Sequence, residues 1–236
     1  MTEKQYLWQT NKPIKPINDM KKEIKIPDSI GLRTEYKRKF SLLDMYSAFM
    51  LIPSIISVIR KNKKQNLISN LFIERLQLAV TEVNGCAACS YAHTHMALKQ
   101  GMSSEEVNSF LNADGGFIKE EEVKAIVFAQ HFADTRGFPK AEAYQVIVDE
   151  YGEEQASIIL AASQMMIAGN IYGIPLSALQ SRLKKRPYKG STILYEIGML
   201  IMGVIILPIT LIHGLLRQLF GISHIRLDNK PGEDNE

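Results

Sequence analysis

Apolar positions recur along this chain at three- and four-residue intervals, and nowhere do they alternate with polar ones for more than a few residues. That period places them on one face of successive helices, so the sequence predicts an all-α fold with no fixed repeat. From Ser41 the run SLLDMYSAFMLIPSIISVI reads as a buried helix bent at Pro53, with the charged break RKNKK turning the chain back. Leu71, Phe72, Leu76, Ala79, Val80 and Val83 stripe the next helix over residues 67–83, and Asn84-Gly85 is its stop signal. A further helix is expected from Cys86 to Gly101. Ser103 and Glu106 then have the spacing of a capping box, and Asp114-Gly115-Gly116 reads as a turn.

Residues 119–136 read as an amphipathic helix with Val123, Ile126, Val127, Ala129 and Phe132 inside and glutamates in the first turn, where the helix dipole favours negative charge. Gly137 ends it, Pro139 opens another helix that Gly152 stops, and an apolar helical stretch over 153–182 takes Met165 and Met166 as core filling. The implied organisation is an irregular arm (1–40), interrupted by Pro13, Pro16 and Pro27 and expected to pack on a partner subunit, followed by a helical catalytic domain (41–183). A basic linker (184–190), a hydrophobic segment (191–221) and a polar tail (222–236), expected to be disordered at its end, complete the chain.

Residues 197–216 carry no formal charge. About 20 helical residues at ~1.5 Å each match a bilayer core of ~30 Å, so the segment is expected to span a membrane or lie in its plane. The competing reading is a helix buried in an oligomer interface, which Pro208 and His213 keep open. Arg182, Lys184, Lys185, Arg186 and Lys189 crowd the N-terminal flank, which by the positive-inside rule places the catalytic domain in the cytoplasm. The alternative is a soluble cytoplasmic protein.

The net charge of +3 is small for 236 residues, and the cations lack the aromatic-interleaved stripe of a nucleic-acid surface, so no nucleic-acid partner is expected. The N-terminus shows no signal-peptide pattern. Two cysteines are too few for a disulfide scaffold, and in a cytosolic setting a CxxC pair points to redox catalysis or metal binding.

Both cysteines lie in Asn84-Gly85-Cys86-Ala87-Ala88-Cys89-Ser90-Tyr91-Ala92-His93. At ~100° per residue, Cys86, Cys89 and His93 share an arc of about 60°, while His95 falls on the opposite side. A helix opening at Cys86 would put both sulfurs near unpaired backbone N–H groups, which favour a thiolate, with His93 one turn beyond Cys89 to exchange a proton. A merely structural pair would be two small buried residues, and zinc would need a fourth ligand that finger-like spacing does not supply, so no metal is expected. Two carboxylates compete to complete the site. Glu82 is close in sequence, whereas Glu74 reaches the cysteines only if the chain folds back at Asn84-Gly85.

The combined pattern, Glu74 followed by Cys86-x-x-Cys89-x-x-x-His93 with Asn84-Gly85 ahead of it and Gly101 behind, resembles the alkylhydroperoxidase D branch of the carboxymuconolactone decarboxylase superfamily over roughly residues 40–180. That resemblance implies an all-α bundle, to which this chain appends a C-terminal hydrophobic helix, assembled as a homo-oligomer (trimer or hexamer). It implies an alkyl hydroperoxide reductase cycling through a Cys86–Cys89 disulfide, with Cys89 attacking the peroxide, Cys86 resolving, and Glu74 and His93 relaying protons. No bound cofactor is expected; the electrons come from an external dithiol reductant of lipoyl or thioredoxin type. Ala88 stands where the best-known members carry a further histidine, and helix electrostatics alone would give Cys86 the lower pKa. The rival readings are a carboxymuconolactone decarboxylase-like enzyme and a membrane-associated thiol sensor without turnover.

Overall fold

The structure is a computed structural model that describes residues 34–112 and 114–228. The expectations for residues 1–33 and 229–236 lie outside the described residues. Within them the fold is all-α, with eight α-helices and no strand.

Ser41 caps α1 (Leu42–Phe49) in a reciprocal box with Asp44. The helix breaks at Met50-Leu51, and α2 (Ile52–Gln65) continues at a 42° bend with Pro53 in its first turn, where the missing N–H costs nothing. The RKNKK run does not break the chain as expected. It forms the last turns of α2, where Lys63 and Lys64 suit the negative end of the helix dipole, and Asn66 in the left-handed region makes the stop. Asn62, buried inside that run, accepts the Ile68 N–H (2.9 Å) and donates to the Ile68 carbonyl (2.8 Å), which pins the reversal.

Helix α3 (Asn70–Asn84) occupies the centre of the bundle, packed against the helices that follow, with Leu76, Leu78, Ala79 and Val80 fully buried. It ends at Gly85 in the left-handed region (φ 72°), and α4 (Ala87–Lys99) runs back beside it. Helix α5 (Ser104–Asn112) keeps half of the expected capping box: Ser103 Oγ accepts the Glu106 N–H (3.0 Å), but the Glu106 carboxylate turns to buried Arg75 (2.7 Å). Arg75 also binds buried Glu122 (2.9 Å), tying α3 to a 3₁₀ turn (Glu120–Glu122).

That turn leads into α6 (Val123–Asp134), which buries Ile126, Ala129 and Phe132 but leaves Val123 and Val127 exposed, contrary to expectation, because α3 and α7 cover only one side of it. Helix α7 (Ala141–Leu183) is interrupted at Gly152, whose φ 76° and ψ 162° are open essentially to glycine alone. Its second part, 153–183, is the apolar spine of the domain and supplies Ile158, Ile159, Leu160, Ile171 and Ile174 to the core. Residues 34–40 pack on their own chain: Tyr36 meets the rings of Tyr188 and Tyr195, and Arg38 donates to the Ala133 carbonyl (2.8 Å).

Helix α8 (Ile193–Leu219) lies against α1, α2 and α7 through a single seam. Glu196, Met199, Gly203, Thr210 and Gly214 are buried there. Residues 222–228 return along α7, where the Gln164 amide donates to the His224 carbonyl (2.8 Å) and the Asp228 N–H to the Pro139 carbonyl (2.9 Å).

Candidate active site

Cys86 is not the first residue of α4 but its N-cap: its backbone is extended and its sulfur accepts the Cys89 N–H (3.2 Å), one of the amides that a helix start leaves without a partner. Cys89 sits in the first turn, and the two sulfurs are joined as a disulfide. The pair is buried, Cys86 fully and Cys89 with 8% of its surface exposed.

The reversal at Gly85 carries α4 back along α3, so that His93 meets Glu74. His93 Nδ1 lies 2.9 Å from Glu74 Oε2. The other carboxylate oxygen accepts from Gln100 Nε2 (3.2 Å), at the C-terminal cap of α4. Both oxygens of a buried carboxylate are therefore held by α4, and His93 is one turn beyond Cys89 on that helix, a spacing at which side chains are neighbours. Glu82 is not in this group. It pairs with Lys37, to which its own carbonyl is also bonded (2.9 Å). His131 on α6 accepts the Lys140 N–H (3.3 Å).

The opposite wall comes from α7 and was not anticipated. Gly169, Gly173 and Ser177 recur every four residues and so line one edge of that helix. A Cβ at position 173 would lie 2.5 Å from Cys89 Sγ and 2.6 Å from Cys86 Sγ, closer than any real contact, so only glycine lets the disulfide sit against α7. Cys89 Sγ is 3.7 Å from the Gly169 carbonyl, to which a reduced thiol there could donate. Ser177 Oγ accepts the Ala88 N–H (3.0 Å) and donates to the Gly173 carbonyl (2.7 Å), satisfying another free amide of α4. Beneath the turn, Asn84 donates to Asn170 Oδ1 (2.9 Å), and Asn170 donates to Thr81 Oγ1 (3.2 Å), all three fully buried. This network fixes the α3–α4 turn to α7. Its visible trace was small or amide residues at helical spacing within 169–177, indistinguishable by sequence from ordinary core packing.

Glu74, Cys86, Cys89 and His93 thus lie on two consecutive antiparallel helices. Residues 65–130 match the carboxymuconolactone decarboxylase family. The matched interval holds all four of these residues, and members of the carboxymuconolactone decarboxylase family are decarboxylases or peroxidases. The glycine wall of α7 and all of α8 lie outside it. No curated protein and no solved structure matches the chain.

Proposed function

We propose that the protein is a CxxC-dependent alkyl hydroperoxide reductase. The observation that carries this reading is the juxtaposition, on one helix pair, of a bonded Cys86–Cys89 couple with a Glu74–His93 hydrogen-bonded pair one turn away. A decarboxylase has no use for paired thiols.

The cycle begins from the reduced pair. The Cys89 thiolate attacks the distal oxygen of R–O–O–H, the O–O bond breaks, and the alkoxide takes a proton to leave as alcohol, with sulfenic acid on Cys89. Cys86 thiolate then displaces the hydroxyl from that sulfur, forming the disulfide and releasing water. An external dithiol of lipoyl or thioredoxin type reduces the disulfide by exchange and leaves as a disulfide itself, so two electrons pass from it to the peroxide. A carboxylate can only accept, so Glu74 orients His93 with its hydrogen on Nδ1. Nε2 is left to take the thiol proton and return it to the leaving alkoxide.

Access supports Cys89 as the attacking sulfur. Cys86 is closed off, whereas Cys89 keeps 8% of its surface and has His93 one turn away. The Cys89 N–H directed at Cys86 favours a thiolate there, the form needed for resolution. In a Cys86→Ser variant treated with tert-butyl hydroperoxide, a sulfenic-acid probe should label Cys89. Labelling confined to Cys86 in the converse Cys89→Ser variant would reverse the roles, and labelling of neither would refute the peroxidase reading.

A further inference from the structure

The face of α8 opposite its seam is aliphatic from end to end. Leu194, Ile201, Val204, Ile212, Leu215 and Leu219 are all more than half exposed. Two helices, Ala141–Leu183 and Ile193–Leu219, are long and apolar enough to cross a membrane by length and composition, and the bent pair Leu42–Phe49 with Ile52–Gln65 passes the same test if taken as one span. The first is spent on the core of the domain. The second is joined to the domain along its whole length. Near its start Glu196 is gripped by Arg182 through two hydrogen bonds (2.7 and 2.8 Å), midway Gly203 takes the Tyr172 ring, and near its end Gly214 lies against the Met50 carbonyl and Pro53. Tyr46 on α1 hydrogen-bonds His213 (2.8 Å). A helix fastened this way cannot cross a bilayer alone. It would draw in α1 and α2, and although that bent pair is apolar enough overall to enter a bilayer, the Asp44–Arg136 ion pair (2.8 Å) and the basic last turns of α2 would then have to be carried into hydrocarbon at high cost.

The surroundings of the exposed face point to a particular occupant. Lys184, Lys185, Arg186 and Lys189 are exposed at its N-terminal end. At the other end a groove of ≈ 610 Å³ between α2 and α8 has Ile56, Leu211 and Leu215 in its wall together with Arg60, Lys61 and Lys64. Lys61 is paired with Glu154 (2.8 Å), but Arg60 and Lys64 have no acidic partner among the described residues. Cations at both ends mean that two such faces pressed together, in either direction, set like charges against each other. An anionic bilayer surface complements both ends at once.

We infer that α8 is an in-plane anchor: its aliphatic face lies in the surface of a bilayer containing anionic phospholipid, one of whose headgroups sits by Arg60 and Lys64 with its acyl chain along Ile56, Leu211 and Leu215. The domain rests on one side of the membrane with its seam uppermost. Pro208, exposed on α8, fits this depth, because the Val204 carbonyl that it leaves without a helical donor stays within reach of interfacial water.

The test uses the purified full chain with preformed vesicles. It should co-sediment at least tenfold more tightly with vesicles of phosphatidylcholine and phosphatidylglycerol than with phosphatidylcholine alone. Arg60→Glu with Lys64→Glu should abolish that preference while leaving the circular-dichroism spectrum unchanged, and Ile205→Ser with Ile212→Ser should weaken binding to both. Trypsin added outside should cut the bound protein after Arg226 without detergent. Equal binding to both vesicles would remove the headgroup site. A tail protected until detergent is added would show that α8 spans, and a stable dimer that ignores vesicles would show that a second copy covers the face.

Discussion

Gly173 is the residue on which the geometry of the dithiol most visibly depends. An added methyl must displace both sulfurs or push α7 away, so Gly173→Ala should lower stability by about 1–3 kcal/mol, as overpacking does, and slow formation of the Cys86–Cys89 disulfide. Thermal unfolding and mass analysis of peroxide-treated protein would register the two effects. A variant with wild-type stability and oxidation rate would mean that the contact is not maintained. Glu74 and Glu82 offer a second comparison at this scale. Glu74 holds His93, whereas Glu82 holds Lys37. Loss of a general acid-base partner typically costs ~10²–10⁴ in rate, so Glu74→Gln should fall in that range and Glu82→Gln should be nearly silent in steady-state peroxide reduction. Both cysteines and His93 were legible in the sequence because one helix carries them at fixed spacing. Gln100 and Gly173 were not, since each reaches the site only through a contact between helices that periodicity does not encode.

Among the elements, α3 and α4 were readable to within a few residues because Asn84-Gly85 marks the stop between them, with Gly85 in the left-handed region, whereas the caps at Ser69 and Cys86 emerge only in the structure. The RKNKK segment departs from expectation because a run of charge is not in itself a break in a helix. Its polar groups face solvent around a single buried Asn62, an arrangement that a helix end accommodates without strain. Residues 222–228 show how a short polar strip becomes ordered by what it meets. Burial lowers the pKa of His224, so its neutral form is the one favoured when the strip is docked. A depressed histidine pKa contributes stability that is present above the ordinary value of ~6.5 and is lost as pH falls through the folded value. Hydrogen exchange across 222–228 should therefore quicken between neutral pH and pH 5 more than exchange in α3 does, and His224→Gln should flatten that difference. Equal acceleration in both segments would assign the change to the fold as a whole.

At the scale of the whole molecule, the seam between α8 and the domain makes the exposed aliphatic face and the Cys86–Cys89 pair parts of one body. Gly214→Ala would force a methyl onto the Met50 carbonyl, a backbone atom that cannot turn aside, and should separate α8 from α2 at a cost of about 1–3 kcal/mol. The all-α class followed from the absence of alternation, and the candidate site rests on one family-like motif. The attachment of α8 along its entire length did not, because small residues on an apolar helix look the same whether they face lipid, a second chain or their own domain. The chemistry itself rests on whether the reduced pair is spent on peroxide. Rapid mixing of the fully reduced chain with tert-butyl hydroperoxide, followed by thiol counting, should show loss of two thiols and formation of one alcohol per chain, at a rate first order in peroxide and lowered ~10²–10⁴ by Glu74→Gln. Thiols that persist, or that disappear at the rate of free cysteine in the same buffer, would contradict it.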